Sequence, residues 1–256
     1  MVFERVGVLM GGLSAEREVS LASGGAVADG LERSGFDVVR IDATRELDRQ
    51  LREADVEAVF IALHGRWGED GTVQGMLEVL GIPYTGSSPL ASALAMDKAL
   101  SRALFVSSGL PMAPGITVES PDDPRAAGQI APPLVVKPSN EGSSVGVSIV
   151  RDESALRPAL ELALSTSKRA IIESYVQGIE VNVAMIDGAV LGSVEIEPHR
   201  EFYDYSAKYD DGGSTHHIPP RIPDARITEV EQVATEAYAA LGCWGAARVD
   251  LIVPTD

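Results

Sequence analysis

Residues 5–10 (RVGVLM) form an apolar run that predicts a buried strand. Gly11, Gly12 and Ser14 follow. Apolar or small residues then recur at Val19, Ala22, Ala26, Val27 and Leu31, a helical spacing. Gly35 stops that pattern, and residues 36–42 (FDVVRID) read as a second strand. A short helix over 47–54, a strand over 56–63 ending at His64-Gly65, and a helix over 71–80 closed by Gly81 complete a unit that reaches about residue 86. Strands alternating with helices, with glycines at the strand ends, predict a parallel α/β sheet.

The pattern then changes. Residues 88–108 are mostly helical, with Asp97-Lys98 inside the run, and the proline-rich stretch 111–124 predicts a strand flanked by turns. Leu134, Val135 and Val136 lead into residues 137–148 (KPSNEGSSVGVS) and on to an apolar run over 145–150, which reads as strand, glycine loop, strand. A helix over 151–165 and strands over 170–175 and 180–186 follow. Asp187-Gly188 is a two-residue hairpin turn into a strand over 190–197. Residues 198–223 have little periodicity and many aromatics, glycines and prolines. A loop of that length is functional or disordered. A helix over 227–241 and a strand over 245–253 end the pattern. The chain stops at Pro254-Thr255-Asp256, where a hairpin turn is expected to begin, so the last strand is expected to lack its partner.

The chain has 256 residues, 45% hydrophobic and 23% charged, enough for two domains or three small ones with real cores. No apolar run approaches the roughly 18 residues that span a bilayer, and residues 1–12 read as a first strand rather than a signal peptide. The net charge of −17 argues against nucleic acid as a partner. It directs attention to the few cations that sit beside glycines. The single cysteine, Cys243, excludes an intramolecular disulfide and a cysteine metal cluster, fits a reducing cytoplasm, and reads as a small apolar filler.

Neither G-x-x-x-x-G-K-[ST] nor G-x-G-x-x-G occurs. In 137–148 the lysine precedes the glycines and a strand follows, so phosphates would not rest on a helix N-terminus here. Two readings stand for this segment alone. It is a hairpin whose backbone N–H groups close over phosphates with Lys137 reaching in, or an ordinary surface hairpin. Glu173 ends an apolar strand and Glu180 follows Gly178; both suit an adenine amine or ribose hydroxyls, and both suit solvated turns. Lys98 on an apolar helix reads equally as a snorkelling lysine. Arg248 and Asp250 alternate along the last strand and share a face, which is costly unless they pair or serve a site.

The segments GGLSAEREVSLASG (11–24), ALHGRWGEDGTVQGMLEVLGIPYTGSS (62–88), ASALAMDK (91–98), KPSNEGSSVGVS (137–148), FYDYSAKY (202–209) and ARVD (247–250) closely resemble the D-alanine–D-alanine ligases of the ATP-grasp superfamily. The match is collinear and covers essentially the whole chain. It implies a Rossmann-like parallel sheet (1–86), a central ATP-grasp lid (87–172) and a second ATP-grasp lobe (173–256) that is incomplete. It implies a cytoplasmic homodimer of peptidoglycan precursor synthesis that uses ATP, Mg2+ or Mn2+ and D-alanine, and binds neither membrane nor nucleic acid. ATP would phosphorylate one D-alanine carboxylate, and the amine of a second D-alanine would displace phosphate.

By the same resemblance, Lys98 and Lys137 hold ATP phosphates, and Ser144 lies in the glycine-rich lid. Glu173 and Glu180 bind adenine and ribose, Tyr175 and Val176 line the adenine slot, and Lys208 meets the γ-phosphate. Glu16 holds the ammonium of the first D-alanine beside His64, and Ser143 and Tyr209 link the lids near the substrates. Arg248 stabilises the acyl phosphate and tetrahedral intermediate, and Asp250 binds magnesium. Tyr209 suits a dipeptide product, where phenylalanine would suit a depsipeptide.

Two departures stand out. The family continues past Arg-Val-Asp into a strand with a Glu-x-Asn pair that supplies two further magnesium ligands, which implies a truncated sequence of an active ligase. Ile218-Pro219-Pro220-Arg221 stands where the family more often has Pro-Ala, a change expected to affect only a loop. Other readings are a different ATP-grasp carboxylate–amine or depsipeptide ligase, a noncatalytic ATP-binding fragment and, remotely, a dinucleotide oxidoreductase, against which the absent fingerprint argues.

Overall fold

The computed structural model describes residues 3–126, 128–142, 145–199 and 213–255. Two compact units emerge, Met1–Ala93 with Cys243–Ala246, and Leu94–Gly242 with Ala247–Asp256. In the first, β1 (Arg5–Met10), β2 (Asp37–Asp42) and β3 (Ala58–Ile61) form a parallel sheet in the order β2-β1-β3. Side chains alternate across it. Leu9 joins Ile41, Leu47, Leu51, Val59, Val73 and Leu77 in one core cluster, while Val8 and Met10 join Ala28 and Ala62 in another. Helices α1 (Arg17–Arg33), α2 (Leu47–Ala54) and α3 (Thr72–Leu80) supply the facing residues.

The buried line of α1 differs from the expected one. It runs through Ser20, Gly24 and Ala28, whereas Ala22 and Ala26 are exposed. Close packing selects small residues, and the Ser20 hydroxyl donates to the Ala62 carbonyl at 2.7 Å. The expected single helix over 88–108 is two helices, α4 (Pro89–Met96) and α5 (Lys98–Ser107). Asp97 breaks it by capping α5. Its backbone is extended and its carboxylate accepts from the N–H groups of Ala99 (3.1 Å) and Leu100 (3.2 Å).

In the second unit β4 (Gly115–Val118), β5 (Leu134–Pro138), β6 (Ser148–Val150) and β7 (Ala170–Ser174) make an antiparallel sheet in the order β4-β7-β5-β6. Leu134, Val136, Val150, Ala170 and Ile172 pack against Ala159, Leu160 and Ala163 of α6 (Leu156–Thr166). Alternation therefore turns Val135, Lys137, Ile149 and Glu173 to the other face.

The remaining sheet runs β10 (Ser214–His217), β9 (Ala189–Pro198), β8 (Gly178–Ile186), β11 (Ala246–Pro254). Asp187 and Gly188 both have positive φ, 48° and 80°, as a tight hairpin turn requires. Helix α7 (Asp224–Ala240) covers the face that carries Val181 and Val183, and Ser193 donates to Glu231 at 2.8 Å. Glu180 pairs in register with Ile196 and points to the opposite face.

Two strand expectations are corrected. The segment 198–223 contains β10, which pairs with β9, and the last strand has a partner in β8. Both partnerships are set by tertiary pairing rather than by local pattern. Among the described residues no helix is long and apolar enough to cross a membrane.

Candidate active site

Residues of both second-unit sheets, together with part of α7 and Arg221, line a cleft of about 1320 Å³. Lys137, Glu173, Tyr175, Val176, Glu180 and Asp250 all border it, with Leu110, Met112, Val135, Ile149, Ile196 and Leu251 as apolar wall. A mostly apolar slot edged by a few polar groups suits a planar base with a polar tail. Lys137 lies near the end of β5 and its ammonium is 2.5 Å from Glu173 Oε1. Arg102 reaches the other oxygen of Glu173 at 3.3 Å and also donates to the Ala113 carbonyl. Tyr175 follows β7, anchored by its N–H to the Pro133 carbonyl at 3.0 Å.

Lys98 is the first residue of α5, and its Nζ donates to the Glu141 carbonyl at the base of the glycine-rich segment. It is not among the residues that border the cleft. Its position is set by its neighbours. The Lys98 N–H bonds the Ser139 carbonyl at 2.8 Å, and the fully buried Ser139 donates its hydroxyl to Asp97 at 2.6 Å. Arg169 also donates to the Asp97 carboxylate. Burial pushes the Asp97 carboxyl up, but hydrogen bonds from Ser139, Leu100 and Asn140 and the charge of Arg169 outweigh it. The group therefore titrates below the usual carboxylate value.

Arg248 holds Asp250 with two parallel bonds, Nε to Oδ1 at 2.7 Å and Nη2 to Oδ2 at 3.0 Å. The pairing that the sequence demanded is therefore present. Among the described residues no group of three His, Cys, Asp or Glu side chains forms a cation cage. The Arg221 departure is more than a loop change. Its guanidinium binds the buried Glu195 at 2.6 Å and Glu197 at 2.8 Å, and all three border the cleft. A carboxylate as buried as Glu195 requires such a partner.

In the first unit Glu16 precedes α1 and His64 follows β3. Gly65, at φ +64°, leaves room for the Glu16 carboxylate; a Cβ there would stand 2.7 Å from Glu16 Oε2. His64 lies 3.1 Å from the Ser23 hydroxyl and 3.6 Å from Glu69. The Glu69 carboxylate, assisted by Glu16 and opposed by burial, raises the imidazole above its usual 6.5. A raised folded-state value means that protonated His64 contributes stability below about pH 6.5, lost as pH rises through the folded value. Glu69→Gln is therefore expected to move the His64 titration midpoint downward, as read from its ring proton shifts by NMR.

Ser143, Ser144, Lys208 and Tyr209 lie outside the described residues. Sequence reasoning missed Arg102, Ser139, Glu69 and the Glu195–Arg221 pair. Arg102 carries no local signal in the sequence, because its partners Glu173 and the Ala113 carbonyl are brought to it by the fold.

Comparison with known proteins agrees with this arrangement. The family described as D-ala D-ala ligase C-terminus matches residues 104–256, and that described as D-ala D-ala ligase N-terminus matches residues 43–87. The chain is 52% identical over 250 residues to the D-alanine–D-alanine ligase of Citrifermentans bemidjiense, covering 98% of this chain and 81% of that protein. The crystal structure of D-alanine–D-alanine ligase from Bacillus anthracis complexed with ATP superposes with a TM-score of 0.84 at 35% identity, over 100% of this chain and 83% of that one. The VanG D-Ala:D-Ser ligase from Enterococcus faecalis gives 0.85 at 30% identity, over 99% and 87%. With both family halves matched and the cleft residues assembled on two facing sheets, this chain belongs to the D-alanine–D-alanine ligase family.

Proposed function

We propose that the chain joins two D-alanines at the expense of ATP, through a D-alanyl phosphate, for peptidoglycan precursors. The observation that carries this reading is the convergence of Lys137, Glu173, Tyr175, Val176, Glu180 and Asp250 on one cleft in a member of this family. The adenine enters the slot at Tyr175 and Val176, Glu173 accepts from its amine, and Glu180 accepts from the ribose. Lys137 and Lys98 meet the phosphates. Glu16 holds the first ammonium, with His64 beside it. A carboxylate oxygen of the first D-alanine attacks the γ-phosphorus and ADP leaves. The amine of the second D-alanine attacks the acyl carbon, and phosphate departs with that oxygen. Arg248 faces the charge that develops at the acyl centre.

Asp250, whose two oxygens also accept from Arg248, is the carboxylate that would hold magnesium, and the ion would supply neutralisation of phosphate charge when bound. Ser143, Ser144, Lys208 and Tyr209 are assigned the lid roles that the resemblance implies. The reading includes a three-part organisation at residues 1–86, 87–172 and 173–256, a homodimer and a cytoplasmic location.

Purified protein with ATP, magnesium and D-alanine should yield the dipeptide and phosphate in equal amounts, with D-serine and D-lactate as competing second substrates. Turnover with D-lactate or D-serine in preference to D-alanine would replace this reading. Lys137→Ala is expected to weaken ATP binding about 10- to 100-fold by calorimetry, the size of a lost hydrogen bond between charged groups.

A further inference from the structure

We infer that Arg102 is a positioning residue that fixes Glu173 as a hydrogen-bond acceptor and thereby sets which purine base the cleft takes. The inference rests on the reading of Glu173 as the base contact. Arg102 is 11% exposed and Glu173 15%. The guanidinium reaches Glu173 Oε2 at 3.3 Å and also donates to the Ala113 carbonyl. Its path crosses β4 at Gly115, the residue in register with Glu173 on β7. A Cβ on Gly115 would stand 2.9 Å from Arg102 Cζ and Nη2, so the absence of a side chain there makes the crossing possible.

Glu173 therefore has two cations, Arg102 on one oxygen and Lys137 on the other at 2.5 Å. They are not equivalent. Lys137 is 26% exposed on the cleft and ends in a flexible ammonium. Arg102 is wedged between a strand and a carbonyl, a use for which its rigid fork is suited. An entering triphosphate draws Lys137 toward itself. Without Arg102, Glu173 would then be a poorly hydrated carboxylate with no compensating charge, an expensive state. With Arg102 in place, Lys137 is free to move and Glu173 stays aimed at the base. A carboxylate acceptor takes a hydrogen bond from the amine of adenine and repels the carbonyl of hypoxanthine. If Arg102 is lost, Lys137 must serve either the phosphates or Glu173. The phosphate cost is common to both nucleotides, but Glu173 is no longer aimed at the base, so ATP also loses a hydrogen bond there whereas inosine triphosphate is relieved of a repulsion.

The test is kcat/KM for ATP and for inosine triphosphate with D-alanine held saturating. Wild type is expected to prefer ATP. Arg102→Met is expected to raise KM for ATP and shrink that preference about tenfold, the scale of one charged hydrogen bond, with inosine triphosphate little affected. Arg102→Lys, which keeps charge but not the fork, should lose roughly threefold. It carries the test if the methionine variant fails to fold. Equal losses for both nucleotides, or an unchanged preference, would overturn the proposal. Glu173→Gln separates the two levels. If it leaves the ATP preference intact, the assignment of Glu173 fails. If it reduces the preference and the Arg102 variants do not, only the role of Arg102 fails.

Discussion

Arg248→Met is expected to lower kcat for ligation by about 10²- to 10³-fold, the loss seen when a preorganised donor to a developing oxyanion is removed. ATP affinity should change little, because the role proposed for Arg248 is at the acyl centre and not at the triphosphate. The geometry supports this role. Asp250 grips the guanidinium at 2.7 and 3.0 Å, which fixes its plane before substrate arrives, so little reorganisation is needed as charge develops. Steady-state phosphate release gives kcat, and calorimetry gives ATP binding. A matching loss of ATP affinity would place Arg248 in nucleotide binding instead.

The largest stability effect should come from Asp97→Ala, with about 3–4 kcal/mol lost in urea unfolding. The substitution removes the cap of α5, leaves the buried Ser139 hydroxyl without its acceptor and strips Arg169 of its partner. Asp97→Asn keeps one acceptor oxygen and should lose less. The acid dependence follows in sign. The Asp97 carboxyl lies below its usual 3.8 in the folded state, so its contribution is complete well above pH 3.8 and fades as pH falls through the folded value. An alanine variant as stable as wild type would show that the link between α5 and the base of the glycine-rich segment is not structural.

Local signals read well where local physics decides. The run over 5–10 could only be a buried strand, and Asp187-Gly188 adopts the positive φ values that its hairpin needs. The segment at 137–148 left two readings open. Strand alternation aims Lys137 at the cleft because Leu134 and Val136 must face α6. The break at Asp97 was also locally legible, since an aspartate just before Lys98-Ala99-Leu100 is a helix-start signal. What escaped depends on distant partners. Arg102 acquires meaning only when β4 passes it at a glycine, and Arg221 only when β9 buries Glu195. The pairing of β11 with β8 joins segments far apart in the chain. On α1, the tight approach to the sheet chose Ser20, Gly24 and Ala28 over larger apolar positions, a preference that hydrophobicity alone does not reveal.

The central claim, activation of one D-alanine as its acyl phosphate, is tested most directly by following oxygen. D-alanine carrying heavy oxygen in its carboxylate is supplied with ATP and magnesium, and the released phosphate is examined by mass spectrometry. The account predicts that each phosphate carries one heavy oxygen taken from the carboxylate, because the oxygen that attacks phosphorus leaves with it. Dipeptide formed alongside phosphate with no heavy oxygen would contradict it.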